Sequence, residues 1–121
     1  MAQATRIPSA ILPSSSTAST VKYLPQIRHP NGDYFPETDL ADTGRDSIIN
    51  DIAGGQYERV VRVFAFDIQS GNAWDASEDI ANYALWQAID HHGECPDYLR
   101  DFVEEHLGCN YVRSCEVEAA A

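Results

Sequence analysis

No stretch of this sequence approaches the ~18 consecutive apolar residues that a membrane helix needs. Val63-Phe64-Ala65-Phe66, at four residues, is as long as any apolar run in it. Bases are scarce as well: eight lysines and arginines stand against nineteen aspartates and glutamates, for a formal charge of −11. The scarcity is uneven. Residues 1–32 hold Arg6, Lys22 and Arg28 and no acid, whereas all nineteen acids lie between Asp33 and Glu118 beside five arginines, a net of −14. A core of that sign repels phosphate backbones, so direct nucleic-acid binding is disfavoured and a cationic partner is favoured. Cysteine is limited to Cys95, Cys109 and Cys115, an odd number with no Cys-x-x-Cys pair. That argues against a disulfide framework and for free thiols in a reducing cytoplasm.

Catalytic signatures are also missing. There is no G-x-S-x-G elbow, phosphate-binding loop, dinucleotide fingerprint, H-E-x-x-H pair or EF-hand loop. Gly54-Gly55 reads as a helix stop. The carboxylates are spread along helical faces, as on solvated surfaces. No cofactor and no membrane contact is expected.

What is present is one domain. A chain of 121 residues has no room for a second core, and 44% apolar with 22% charged residues is ordinary globular composition. Residues 1–19, rich in Ser, Thr, Ala and Pro and free of acids, read as a flexible polar arm. Their composition also suits an organellar transit peptide, but Pro8 and Pro13 break the amphipathic helix such a signal requires. The domain proper is expected over 20–118, with 119–121 as a tail.

The hydrophobic pattern predicts an α+β fold: a small antiparallel or mixed sheet packed by three helices. A short edge strand near 20–24 is limited by Pro25. Pro30-Asn31-Gly32-Asp33 is turn chemistry. A first helix is expected over 43–53, capped by Asp42, with Asp46 in its first turn and Ile48, Ile49 and Ile52 inward. Arg59 to Ile68 reads as a central strand buried on both faces, because its apolar residues run nearly without interruption. A second helix over 76–91 opens on an Asp75/Glu78 capping pattern and turns Ile80, Ala81, Ala84, Leu85, Ala88 and Ile89 inward. A third over 96–107, with Cys95 as cap residue and Pro96 first, buries Leu99, Phe102, Val103, His106 and Leu107. Weak alternation over 110–117 suggests a last strand.

The sharpest functional candidate is the outer stripe of the second helix. Asp79, Tyr83, Trp86 and Asp90 follow steps of four, three and four residues, which align them on one face. A tryptophan and a tyrosine framed by carboxylates would anchor a basic partner. The competing reading has the domain itself covering Trp86. Asp75, Glu78, Asp97, Asp101, Glu104 and Glu105 would extend the anionic surface.

His106, Cys109 and Cys115 are a reduced zinc-ligand set, set against the plainer reading of a satisfied core histidine with free thiols. Cys95, with His91 or His92, is a conceivable thiol-nucleophile pair, since a helix N-terminus lowers a thiol pKa. The expectation is a non-enzymatic acidic binding protein, with mimicry of nucleic acid to inhibit a nucleic-acid-binding complex, such as a host-defence effector, as its concrete form. The alternatives are an acidic assembly subunit anchored by the aromatic stripe and a thiol-dependent enzyme using Cys95.

Overall fold

A computed structural model describes residues 20–36 and 43–121. The expected arm over 1–19 and the Asp42 cap lie outside the described residues. The order is β1 (Val21–Ile27), α1 (Arg45–Ala53), β2 (Val60–Asp67), β3 (Ala73–Asp75), α2 (Ser77–His92), α3 (Asp97–Leu107) and α4 (Cys109–Ala120). The strands form one antiparallel sheet in the order β1-β2-β3, so the fold is α+β with β2 central. Among the described residues, no helix is long and apolar enough to cross a membrane.

Pro25 does not stop β1 short, and the register explains why. Along β1 the odd-numbered N–H groups point away from β2: Tyr23 donates to the Thr43 carbonyl and Ile27 to the Tyr34 carbonyl, each at 2.8 Å. Pro25 has the same parity, so the N–H it lacks is one the β1–β2 ladder does not use. The same backbone contacts cover β1's outer edge, which blunts it as a template for another strand.

On β2 the complementary problem arises. Beyond the three-residue β3, the Val63 N–H has no strand to meet, and the buried Ser77 hydroxyl accepts it at 2.8 Å while Ala76 N–H donates to the Val63 carbonyl at 2.8 Å. The start of α2 is thereby fastened to the middle of the sheet. Asp75 does not form the expected capping box. Its Oδ1 accepts the Ser77 N–H at 2.9 Å, and Ala76 occupies the cap position. Gly93, in the left-handed region at φ 81°, closes α2.

The helices share one core. Ile48 and Ile52 of α1, Ile80, Ala81, Ala84, Leu85, Ala88 and Ile89 of α2, Leu99, Phe102 and Val103 of α3, and Val112 and Cys115 of α4 meet Tyr23, Val63 and Ala65 of the sheet. Leu24, Phe64 and Phe66, of opposite parity, belong neither to that core nor to the side chains packed on it. The expectation of a strand buried on both faces is therefore corrected. All the described helices lie on one side, and the other carries a charged residue, Arg62, in the middle of β2.

The expected strand over 110–117 is also corrected: this segment is α4. Val112 and Cys115 are one turn apart and buried, Glu116, Glu118 and Ala119 favour helix, and no glycine or proline interrupts. Glu116 secures α4. Its Oε2 accepts the Cys95 N–H and an Arg100 N–H, both at 2.9 Å, and Arg100 also donates to the Cys95 carbonyl at 3.1 Å.

Ser77→Ala leaves the Val63 N–H buried without an acceptor and is expected to cost about 1–3 kcal/mol in urea unfolding. The Glu116 carboxyl is held below its ordinary 4.5, first by the Cys95 N–H and then by Arg100. Its contribution is complete above that value and is lost as the pH falls through the lower folded pKa. The stability gap between the wild type and Glu116→Gln is therefore expected to be widest near pH 7 and to close on acidification.

Candidate functional site

The α2 stripe is built from residues that the fold also uses internally. Arg45, opening α1, donates to both carboxylate oxygens of Asp79 at 3.1 and 3.2 Å, and its guanidinium lies 4.1 Å from the Tyr83 ring centroid. One arginine thus neutralises the carboxylate and shields one face of the ring, although Tyr83 remains 51% exposed. Trp86 is half-buried against the core. Tyr111 of α4 lies within interaction range of the indole, and its hydroxyl donates to Asn82 at 2.7 Å. Of the two readings of Trp86, the half-buried indole stands nearer the one in which the domain covers it, because residues 109–120 fold as a helix and α4 lies alongside α2. Asp90 alone of the four is exposed and unpaired among the described residues.

The remaining acids divide between two places. Glu78 and Asp79 line a cleft of about 490 Å³ with Asn82, His106, Leu107 and Tyr111. Asp97, Asp101 and Glu105, one per turn of α3, line a second of about 530 Å³ with Glu58, Arg28, Arg59 and Tyr98. Glu104 is tied to Arg100 at 3.3 Å, and Asp75 to the start of α2. The expected acids other than Asp90 are thus divided among two clefts, ion pairs and a helix start.

Charge nevertheless separates by layer. Among the described residues the four helices carry eleven carboxylates and three arginines, two of which, Arg45 and Arg100, are held in ion pairs. The three strands carry Lys22, Arg62, Asp67 and Asp75 and are neutral.

His106 is occupied: its Nε2 lies 2.7 Å from the Val61 carbonyl and its ring meets Phe102 edge-on at 5.0 Å. Cys109 is exposed while Cys115 is buried, and among the described residues no group of three His, Cys, Asp or Glu is placed to hold a metal. The zinc set is not assembled.

Cys95 sits in the surroundings of a core thiol. Pro96 rather than Cys95 caps α3, and Cys95 is 1% exposed. Burial pushes its thiol up to about 11, against the lowering influence of Arg100 and with Glu116, Glu104 and Asp97 adding to the rise. A helix N-terminus cannot activate a thiol turned into the core. His91 and His92 are exposed beside each other, with ring centroids 6.4 Å apart.

No family model, no curated protein and no solved structure matches the chain. The residues that sequence reasoning passed over are Arg45, Glu116 and the outer sheet face. Arg62 was the available signal for the last of these. Nothing in local pattern pairs Arg45 with a residue 34 positions away.

In the folded protein at pH 8, iodoacetamide is expected to modify Cys109 rapidly and to spare Cys95 and Cys115 until denaturant is added, as read by intact mass. Trp74, at 44% exposure, is expected to supply most of the acrylamide-quenchable fluorescence. Trp74→Phe should leave a bluer, less quenchable signal from Trp86.

Proposed function

We propose that the chain is a non-enzymatic binding protein whose acidic helical layer engages a basic surface on another macromolecule. The observation that carries this reading is the separation of charge: helices at eleven acids to three arginines, beside a neutral sheet. Glu78, Asp90, Asp97, Asp101 and Glu105 are exposed, and no ion pair with a described residue engages them. An anionic field of this kind speeds encounter with a cationic surface and selects against anionic ones.

Its concrete form is mimicry of nucleic acid. Asp97, Asp101 and Glu105 present a carboxylate every turn of α3, ~6 Å apart along the axis. Such a row fits a channel lined by lysine and arginine and blocks the nucleic acid that belongs there, as in a host-defence effector. Three free cysteines support a reducing cytoplasm as the compartment of this reading. Anchoring by an aromatic stripe ranks second, since Trp86 is half-buried and Tyr83 lies under Arg45.

The test uses a panel of basic nucleic-acid-binding proteins and measures retention of the full chain with and without a competing oligonucleotide. Retention is expected to fall about tenfold between low and moderate salt and to be competed by the oligonucleotide. Joint replacement Asp101→Lys and Glu105→Lys is expected to abolish it at unchanged thermal stability. A complex indifferent to both salt and oligonucleotide rules mimicry out.

A further inference from the structure

The side of the sheet turned away from the helices is a surface of different chemistry. Register places Lys22, Phe66 and Ala73 in one row across the strands, Leu24, Phe64 and Asp75 in the next, and Gln26 with Arg62 in a third. Phe35, half exposed, extends the strip, its ring 6.0 Å from that of Phe64. Ile68, 54% exposed, lies just past the end of β2. Leu24, Phe64 and Phe66 thus form an apolar strip outside the core.

A cation stands at each end of this strip, in the rows of Phe66 and Arg62. The two rows are four residues apart along β2, or ~13 Å. Lys22 is in no ion pair with a described residue. The Arg62 Nε is buried and has no hydrogen-bond partner. Asp75, the one acid in these rows, accepts the Ser77 N–H and also feels the charge of Arg62, whose guanidinium lies 5.9 Å from the Phe64 ring centroid, so Lys22 is the less engaged of the two cations.

We infer that this face binds an extended segment of a partner protein, with apolar side chains at alternate positions over Leu24, Phe64 and Phe66 and a carboxylate reaching Lys22 or Arg62. Area selects a segment over a second copy. Three strands spaced ~4.8 Å apart offer a face of about 10 by 25 Å, well short of the roughly 800 Å² per partner in a stable interface. Two chains of −11 also repel each other. Charge selects a peptide over nucleic acid, because one or two carboxylates meet two cations whereas a polyanion meets the field of the whole domain. The segment lies across the face and is read by side chains; β1's edge offers it little backbone pairing, because the N–H groups of Tyr23 and Ile27 are already bonded.

A random heptapeptide display selected on the full chain, with counter-selection on Phe64→Ser, tests this. Phe64 lies outside the core, so the variant is expected to fold, as an unchanged unfolding midpoint would show. Enriched peptides are expected to alternate apolar residues and to carry Asp or Glu. Their affinity should fall about tenfold on Phe64→Ser and severalfold on Lys22→Gln with Arg62→Gln. Enriched peptides that are basic, or that bind Phe64→Ser equally well, overturn the inference. So does a decathymidylate that binds the same face more tightly than the peptides, or a concentration-dependent dimer abolished by Phe64→Ser. Because Asp101→Lys with Glu105→Lys leaves this face intact, the same peptides binding that variant separates the inference from the acidic-layer reading.

Discussion

Ala81, Ala84 and Ala88 lie on one arc of α2 and carry almost no side chain, so the helix can be approached closely from that side. Contacts run from α2 to β2, α1, α3 and α4 alike, and the arc is fully buried. Larger residues at these positions would hold the neighbours off and open voids that a domain of this size cannot tolerate. Two further contacts depend on this enclosure. The Ser77 hydroxyl meets the Val63 N–H because α2 begins against the sheet, and Trp86 is half-covered because α4 reaches the side of the same helix.

Enclosing α2 has an electrostatic consequence. The acids that keep the helices soluble are pushed to the rim of a compact layer, where like charges oppose one another. Arg45 and Arg100 relieve this at two seams, α1 against α2 and α3 against α4. Both bridge distant parts of the chain, and both are partly shielded from water, so they fix geometry more than they neutralise the surface. The charge left over faces outward, and it is the property most available to a partner.

The sheet pays no such attention to charge and is covered on one side only. Four short helices suffice to bury Tyr23, Val63 and Ala65, and no described element remains for the reverse side. Its phenylalanines are partly screened by each other and by Phe35. Among the described residues the two sides are therefore unlike, one anionic and helical, the other apolar with two cations.

Much of this was legible in the residues themselves. The inward faces of α1, α2 and α3 follow from the spacing of their aliphatic residues, and the acidity of the outer faces follows from what remains. Local pattern misled where two periods fit equally well, as in residues 109–120, or where a continuous apolar run concealed a one-sided strand. It was silent where the partner is remote: Arg45 with Asp79, Glu116 with Cys95, His106 with Val61. Sequence by itself determined the inward faces of α1, α2 and α3, the α+β class and the net charge. Only tertiary structure decided which neighbour covers each exposed group. That choice buried the Cys95 thiol, shielded Trp86 and left Phe64 and Phe66 facing outward, because coverage depends on contacts between segments far apart in the chain, which no local period encodes.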